Sequence, residues 1–417
     1  MNIVVMRRTF TFFLLVIITG VATVSAQQHS LEYYLNKGLS DNPLLRDFNN
    51  QLISGTYDSL LVIAAHHPLI NLSSQAIFAP AANNVGYDST ITNGGNYTAL
   101  VSITQPLFKK TQKERQFREI HLANQTIQLN SKITEIDLKK SITTQYITAY
   151  SDYGQIQFNK DILQLLQREL SVIENLADQG IYLQTDFLNL SVTVHAQQLL
   201  IKQVFQQYKN DLGILNFLCG IVDTTSCTLL APNIPVLPEL TPQLNPILKM
   251  FTLDSLKTQE ARIAIDQNYR PNLNAYADAG FMTINPAYIP KHFGISIGLT
   301  LSMPIYDGNQ RKHQYSKLTL NENTRLYNRQ FYVRQYQQQF IQLKEQLRLT
   351  EEIIIEIKTQ ISEQEKLIEL FQIEMEKGLV RMLDFINVIN NYATTRNNLR
   401  TSEINKLQII NQLNYIK

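Results

Sequence analysis

The sequence predicts a mainly α-helical fold with a small β part, in which a strand pair followed by a long helical hairpin occurs twice. Three observations support this prediction. Motifs return at a nearly constant offset, two long stretches lack proline, and four short segments alternate between apolar and polar residues. Alternation with period two is typical of strands, and long proline-free stretches with heptad spacing are typical of helices.

The duplication rests on paired motifs. The Asn-Pro motif at Asn42 returns at Asn245, an offset of 203 residues, and later motifs return at an offset of 198. The later pairs are Gln105–Phe108 with Met303–Tyr306, Gly180 with Gly378, and Asp186–Asn189 with Asp384–Asn387. A loop can absorb the change of offset, so the sequence predicts two structural repeats, at residues 27–230 and 231–417. The repeats meet near the proline-rich stretch Pro232–Pro246, which is expected to be an extended connector.

Strand pairs are expected at about residues 68–106 and 271–304. The clearest strand is Phe293–Met303, in which every second residue is apolar and the residues between are glycine, serine or threonine. Each predicted strand is about ten residues long, the length that a tilted strand needs to cross a bilayer. The loop of the first pair is glycine-rich and is expected to contain Gly86, Asn93, Gly94 and Gly95.

These strands place a condition on any membrane insertion. No apolar run after residue 26 reaches the length of a transmembrane helix, so an inserted chain would have to form a closed β-barrel. Four strands are too few for that, because about eight is the smallest number known. The chain would therefore have to oligomerise, and three protomers would supply twelve strands. A soluble β-sandwich is the alternative, but four strands are few for it.

Helical hairpins are expected at about residues 109–216 and 309–416. The stretches Lys109–Gln179 and Asn309–Lys377 contain no proline, and Gly154 is their only glycine. The second stretch carries a heptad seam, which is typical of a coiled coil. The seam consists of Tyr336, Phe340, Leu343, Leu347, Ile354, Ile357, Ile361, Ile368, Phe371 and Met375. A flanking apolar row predicts packing against more than one neighbour, and it consists of Leu349, Ile353, Leu367 and Leu370.

Glycines mark the ends of the two long helices. Gly180 and Gly378 are expected to follow the last helical residues, because glycine readily adopts the left-handed conformation found there. The returning helices are then expected to begin near Asp186 and Asp384, with Thr185 as a further N-cap candidate.

The first 26 residues have the pattern of a secretory signal peptide. Arg7 and Arg8 precede the apolar core Phe10–Val21, and Val24–Ala26 is a small-residue cleavage site. The alternative is a membrane anchor, but the core is shorter than the roughly 20 residues that spanning needs. After cleavage, Lys and Arg fall from 37 to 35 and equal the 35 acidic residues, which argues against a nucleic-acid partner.

Neither the cysteines nor the histidines indicate chemistry. Cys219 and Cys227 are the only cysteines, and they could form a small-loop disulfide or remain reduced, partly buried thiols. The adjacent His66 and His67 lack a third metal ligand. Phosphate-loop, serine-hydrolase and zinc-protease motifs are absent from the sequence. We therefore expect a protein that is not an enzyme and needs no cofactor.

Taken together, these elements resemble the TolC-like outer membrane factor family. The resemblance rests on the duplication, the strand ends Gln105–Phe108 and Met303–Gly308, the segment Gly378–Asn387 and the tail Ile410–Asn414. It covers essentially the whole mature chain. It implies a homotrimeric channel-tunnel, in which twelve strands form a β-barrel in the outer membrane and the helices form an α-barrel across the periplasm.

The resemblance also implies an export function in a bacterium of the Gram-negative type. The chain would be the outer-membrane channel of a tripartite efflux or type I secretion system. Its partners would be outer-membrane lipid, a periplasmic adaptor (membrane fusion) protein and an inner-membrane pump of RND or ABC type. A periplasmic coiled-coil adaptor or scaffold is the alternative, since it would share the signal peptide and the heptads but not the strand pairs.

A gate at the periplasmic tip is a further implication of the resemblance. Asp384 matches an acidic residue that forms a ring in the narrow entrance, where three carboxylates would repel anions and attract cations. Asn387 stands where the family has a second acidic ring, which implies a weaker filter. Arg381 matches an arginine that holds the entrance closed, and it is expected to reach Thr185 and Asp186.

Two points weigh against a complete match with that gate. Met375 stands where the family has a tyrosine that supports the closure, which puts one gate bond in question. Helix capping alone would also explain why both Asp186 and Asp384 are present, because aspartate is favoured at helix starts.

Overall fold

The computed structural model describes residues 28–79, 94–223, 225, 227–237 and 245–416. The predicted signal peptide, the loop residues Gly86 and Asn93 and part of the proline-rich connector lie outside the described residues. The described chain is mostly helical with a small β part, so the coarse fold class is confirmed. The trimeric barrels and the two repeats stay predictions.

Helices account for most of the described chain. They are α1 (Leu31–Asp41), α2 (Pro43–Ala64), α3 (Lys110–Asp178), α4 (Gln184–Leu218), α5 (Pro246–Asn268), α6 (Gln310–Glu376) and α7 (Met382–Asn414). The two long proline-free stretches correspond to α3 and α6, which contain 69 and 67 residues. No helix in the described ranges has both the length and the apolar character needed to cross a membrane.

Three helices, α1, α2 and α5, are missing from the sequence prediction. The repeated Asn-Pro motif explains two of them, because Pro43 begins α2 and Pro246 begins α5. Asn245 caps α5, since its Oδ1 accepts from the N–H of Ile247 at 2.9 Å and of Leu248 at 3.2 Å. Proline suits the first helical position because its missing N–H would have no partner there in any case.

The heptad seam predicted for α6 is confirmed by burial in the second half of the helix. The buried residues of α6 are Leu343, Ile354, Ile361, Ile368 and Met375, and the last four are spaced by seven. The flanking row remains uncovered within one chain, with Ile353 52% and Leu370 57% exposed. The additional neighbour predicted for this row is thus not found among the described residues of the chain.

The described strands form two sheets. They are β1 (Gln28–His29), β2 (Leu69–Ala79), β3 (Gly94–Leu107), β4 (Thr228–Leu229), β5 (Asn272–Thr283) and β6 (Phe293–Ser302). All four predicted strands are present as β2, β3, β5 and β6, and they form one antiparallel sheet in that order. The pairing of β3 with β5 joins the two predicted strand pairs. Gly94 and Gly95 were expected in a loop, and this prediction is wrong because they pair with Ala79 and Phe78 as the first residues of β3.

The register collects the apolar residues of the four-stranded sheet on one face. Ala277 of β5 lies opposite Ile297 of β6 on one side and Ile103 of β3 on the other. Ile103 in turn lies opposite Ile70 of β2. This face is open to its surroundings, since Ile70 is 63% and Ile297 83% exposed.

The chain divides into two units, and each is described by itself. Unit 1 comprises the chain up to Asn42, Glu135–Glu239 and Gln338–Ile416. Unit 2 comprises Pro43–Thr134 and Leu240–Gln337, and it contains the four-stranded sheet. Each unit draws segments from both predicted repeats.

One apolar cluster of unit 1 surrounds three buried tyrosines, Tyr34, Tyr146 and Tyr208. The hydroxyl of Tyr146 donates to the carbonyls of His29 at 3.0 Å and Leu230 at 2.7 Å. His29 lies in β1 and Leu230 directly follows β4, so Tyr146 links the parallel pair β1–β4 to α3 by hydrogen bonds.

The cysteines lie in the same cluster and are free thiols, which settles the alternative that the sequence leaves open. The Sγ of Cys219 donates to the carbonyl of Tyr34 at 3.4 Å, and the Sγ of Cys227 lies 3.6 Å from the Tyr34 hydroxyl. Burial raises the pKa of Cys219 to about 12, so this thiol stays protonated.

The tail Ile410–Asn414 holds unit 1 together through two asparagines. Asn411 is fully buried, and its Nδ2 donates to the Lys140 carbonyl at 3.1 Å and to Thr144 Oγ1 at 2.8 Å. Asn414 binds the connector, because its Nδ2 donates to the Pro235 carbonyl and its Oδ1 accepts from the Leu237 N–H, both at 2.8 Å. The tail motif is therefore explained by packing and hydrogen bonding within the chain.

Candidate functional site

The candidate site consists of the two turns that join α3 to α4 and α6 to α7. We call them the first tip turn (Gln179–Leu183) and the second tip turn (Lys377–Arg381). Both lie in unit 1. Together they contain or adjoin every residue that the sequence analysis singles out for a gate.

The two tip turns have the same backbone. Gly180 has φ +74° and Gly378 has φ +71°, a conformation that favours glycine. In the first turn the N–H of Gly180 donates to Ala177 at 3.0 Å, and the N–H of Ile181 donates to Leu176 at 2.9 Å. The second turn repeats both bonds at 2.9 and 3.0 Å. This double bond pattern is the Schellman motif, which pairs the last carbonyls of a helix.

The N-cap of each returning helix lies three residues before the aspartate that was expected there. The N-cap positions are Leu183 for α4 and Arg381 for α7, so the expectation that Asp186, Asp384 or Thr185 is the N-cap is wrong. Asp186 instead occupies the third helical position, where its Oδ2 accepts from the Leu183 N–H at 3.1 Å. A carboxylate there also stabilises the positive end of the helix dipole.

An apolar core lies directly beneath the turns. It contains buried side chains from all four helices that meet here, and its members are Ile162, Leu166, Ile173, Tyr182, Leu190, Val194, Ile368, Met375, Met382, Phe385, Ile386 and Ile389. The turns themselves touch closely, because a Cβ on Gly378 would lie only 2.7 Å from Cγ2 of Ile181. Glycine at 378 is therefore required both by its φ and by this contact.

Tyr182 connects the two tip turns by hydrogen bonds. Its ring is 8% exposed, and its hydroxyl donates to the Val380 carbonyl at 2.7 Å. The same hydroxyl lies 3.3 Å from the Met375 carbonyl. Burial, and to a smaller extent the charge of Asp186, raises the pKa of Tyr182, so the phenol keeps its proton.

Arg381 does not reach across to the first tip turn. Its side chain is 91% exposed, and its Nε lies 3.4 Å from Oδ2 of Asp384 on the same helix. Within one chain Arg381 thus pairs with Asp384, and its expected contact with the Thr185–Asp186 region stays a prediction. Such an exposed pair contributes little to stability, about 0–1 kcal/mol.

Asp384 and Asn387 share one face of α7, because residues three apart are neighbours on a helix. The buried residues Phe385 and Ile386 lie between them in sequence and point to the core. Asn387 is exposed, and the side chain of Asp384 is 47% exposed. Both side chains are thus presented to the surroundings of the chain, as is Thr185 in the other turn.

Sequence reasoning missed Tyr182. It considered the tyrosine missing at Met375, whereas the structure has a phenol on the opposite turn that reaches the Met375 carbonyl. The available signal is a comparison of the repeats: Tyr182 lies two residues after Gly180, where the second turn has Val380 two residues after Gly378. A tyrosine beside a helix-ending glycine needs a hydroxyl partner when it is buried.

The arrangement offers ion pairing and steric closure but no constellation for bond making or breaking. Within the described residues, no group of three His, Cys, Asp or Glu side chains could hold a metal ion. His66 hydrogen-bonds locally, since its Nδ1 lies 2.7 Å from the Val62 carbonyl.

Comparisons with known proteins find matches among solved structures only. Neither a protein-family model nor a curated protein matches the sequence. Solved structures do match. The outer-membrane channel OprN is 13% identical, with a TM-score of 0.73 over 92% of this chain and 89% of that chain. CusC, which forms a transmembrane channel, is 11% identical, with a TM-score of 0.77 over 93% of this chain and 91% of that chain.

A third match is the outer membrane protein VceC from Vibrio cholerae. It is 11% identical, with a TM-score of 0.71 over 92% of this chain and 96% of that chain. The chain therefore has the fold of outer-membrane channel proteins over nearly its whole length. The resemblance to the TolC-like channels drawn from the sequence is confirmed at the level of the fold.

Proposed function

We propose that the chain is one protomer of a homotrimeric export channel in the outer membrane, with its helices in the periplasm. The observation that carries the proposal is the apolar face of the four-stranded sheet. That face is continuous across β2, β3, β5 and β6, and Ile295, Ile297 and Leu299 on it are 74%, 83% and 67% exposed. An exposed apolar patch of this kind needs a cover, and bilayer lipid is one that suits strands of about ten residues.

The open edges of the sheet support the oligomer. β2 and β6 are the two edge strands, so each chain offers one ladder of unpaired backbone groups at either side. Pairing β6 of one protomer with β2 of the next would satisfy both ladders, and three protomers would close a barrel of twelve strands. Closure removes the edges that lipid does not tolerate.

The work of such a channel is transport without chemistry. Substrates would pass from an inner-membrane pump of RND or ABC type, through a periplasmic adaptor protein, and out through the trimer. This would make the chain the outer component of a tripartite efflux or type I secretion system. The exposed charges and amides of the tip, Asp384, Asn387 and Arg381, would then face the narrow periplasmic entrance.

The mass of the purified particle tests the trimer. The protein is extracted from outer membranes in detergent, and its mass is measured by light scattering with the detergent subtracted. A stable trimer that needs detergent is expected. A soluble monomer or dimer would overturn the channel and favour a periplasmic coiled-coil adaptor or scaffold.

Ion selectivity tests the acidic ring at the entrance. In Asp384→Asn, we expect single channels in planar bilayers to be less selective for cations, because three carboxylates leave the constriction. Asp186→Asn is the matched comparison, since Asp186 occupies the equivalent position after the first turn. Unchanged selectivity in Asp384→Asn would contradict the ring, and a loss in Asp186→Asn would place it at the first turn instead.

A further inference from the structure

The hydroxyl of Tyr182, in the first tip turn, contacts two backbone carbonyls of the second tip turn and the helix end before it. Tyr182 stands in the first turn, while its two acceptors stand on either side of Gly378 in the second. The Met375 carbonyl belongs to the last turn of α6, and the Val380 carbonyl directly precedes the N-cap of α7. The bond therefore holds both ends of the second turn to the first.

Of the two carbonyls near the Tyr182 hydroxyl, one forms the stronger hydrogen bond. A phenol has a single proton, and the Val380 carbonyl at 2.7 Å is at the ideal distance for an O–H donor. The Met375 carbonyl at 3.3 Å is a weak second acceptor, and it also accepts from the Gly378 N–H at 2.9 Å. Loss of the hydroxyl would leave the half-buried Val380 carbonyl without this partner.

The charged groups of the tip do not make an equivalent connection in the chain. Arg381 pairs with Asp384 inside its own turn and is 91% exposed. Asp186 accepts from the backbone of Leu183, also inside its own turn. Both contacts stabilise a single hairpin, whereas the Tyr182 bond joins the two.

We propose that Tyr182 is a neutral latch, which holds the two tip turns of each protomer together and must release before the tip of the channel can widen. This inference rests on the proposed channel function. It assigns the closing contact to a phenol on the first turn and a backbone carbonyl on the second, and not to an ion pair of Arg381.

The latch is one-sided because the repeats differ at this position. The residue that corresponds to Tyr182 in the second repeat is Val380, which has no hydroxyl and contributes its carbonyl instead. A bond between neutral groups is also insensitive to screening, whereas the exposed pair of Arg381 with Asp384 weakens as salt rises. The latch should therefore respond to force or to a bound partner, and not to ionic strength.

Tyr182→Phe tests the latch, because it removes one oxygen and keeps the ring in the core. Tyr392→Phe is the matched control: its hydroxyl donates to Glu365 Oε1 at 3.1 Å and so joins α6 to α7, within one hairpin. Both variants and the parent protein are reconstituted in planar bilayers. We expect about a tenfold rise in open probability for Tyr182→Phe, the effect of about one buried hydrogen bond, and no rise for Tyr392→Phe.

The salt dependence of gating and the rate of amide hydrogen exchange test the same contact. The ratio of open probabilities between Tyr182→Phe and the parent should be the same at low and high salt. In detergent, amide hydrogen exchange in residues 176–190 and 374–389 should be faster in Tyr182→Phe than in the parent, and unchanged in the middle of α3.

The outcomes separate the latch from the channel. A parent protein that conducts, with a Tyr182→Phe variant that gates and exchanges as the parent does, overturns the latch and leaves the channel in place. If neither protein conducts, the channel proposal fails and the gating role fails with it. In that case faster amide exchange in Tyr182→Phe would still show that the hydroxyl holds the two turns together. Equal exchange in the variant and the parent would contradict this contact as well.

Discussion

Unit 1 and unit 2 differ in how much of their apolar surface one chain can bury. Unit 1 contains two large buried clusters, one beneath the tip turns and one around Tyr34 and Tyr146. In the described part of unit 2, the buried large apolar side chains are Leu122 and Leu253, while the sheet exposes a whole apolar face. Unit 1 buries much of its apolar surface within the chain, although the row with Ile353 and Leu370 stays exposed, whereas the sheet of unit 2 leaves its apolar face exposed.

The difference follows from the shapes of the elements. A helical hairpin can turn its apolar stripe towards a second hairpin of the same chain, as the four helices at the tip do. A single sheet has no second layer to cover its face, and its edge strands cannot pair with each other unless the sheet closes. The described residues of one chain therefore bury more apolar surface in unit 1 than in unit 2, where we propose that lipid and further copies cover the sheet.

The largest effect on recovery from the outer membrane is expected from a charge on the open face of the sheet. Ile297→Lys places an ammonium where we propose lipid, at a cost of about 2–4 kcal/mol in each protomer near the bilayer midplane. Thr300→Lys is the control, because alternation puts residue 300 on the opposite face of β6. We expect the first variant to be depleted from the outer-membrane fraction and the second to remain. Equal recovery of both variants in the outer-membrane fraction would contradict the contrast between the two units, since the apolar face of the sheet would then need no cover.

An effect on folding stability, and a smaller one on recovery from the membrane, is expected from the buried cluster beneath the tip turns. Phe385 is fully buried beneath the tip turns, so Phe385→Ala should lower the free energy of unfolding by about 3–5 kcal/mol. Its neighbour Leu383 is 64% exposed, and Leu383→Ala should change stability by less than about 0.5 kcal/mol. Urea unfolding followed by circular dichroism measures both. Similar losses in the two variants would mean that the core is not completed within the chain.

The smallest effect concerns a carboxyl pair inside unit 1 and depends on pH. Burial, the adjacent Asp211 carboxyl and its charge raise the pKa of Asp152 to about 7, although Arg400 opposes the shift. Gln145 and Gln207 donate to the two oxygens of Asp211 at 3.1 and 2.6 Å, which leaves Asp152 as the member that holds a proton.

The sign of the effect follows from the direction of this shift. A carboxyl with a raised pKa in the folded state contributes its full stability only below its unfolded pKa, about 4, and loses that stability as the pH rises through about 7. Asp152→Asn removes the titrating group, so this variant should unfold at a higher temperature than the parent at pH 8. The gap should narrow as the pH falls to 5. A gap that stays constant over this range would show that Asp152 is already ionised at pH 5.

Much of the architecture could be predicted from the sequence because its signals are local. The alternation in Phe293–Met303 and the seven-residue spacing on α6 each arise within one element, and both elements form where predicted. The turn glycines Gly180 and Gly378 follow the same logic, since a left-handed φ is a property of a single residue. The Asn-Pro motifs before α2 and α5 are equally local signals, since proline is favoured at the first position of a helix.

The candidate site could be predicted only in part, because its contacts depend on which distant segments meet. Motif matching proposed Asp384 and Arg381 but did not predict that they pair with each other within one chain, since a long side chain at an exposed turn can reach several groups. Tyr182 was missed because its acceptors are backbone carbonyls almost two hundred residues away, and backbone acceptors leave no trace in a sequence.

The sequence by itself determined the kind of each long element, its approximate limits and the glycine turns. These depend on periodicity and on backbone preference over a few neighbouring residues. Only the tertiary structure decided that β3 pairs with β5, that Cys219 and Cys227 are free thiols, and that Tyr182 joins the two tip turns. Those outcomes depend on distances between residues far apart in the chain, which are set by the packing of whole elements and not by any local pattern.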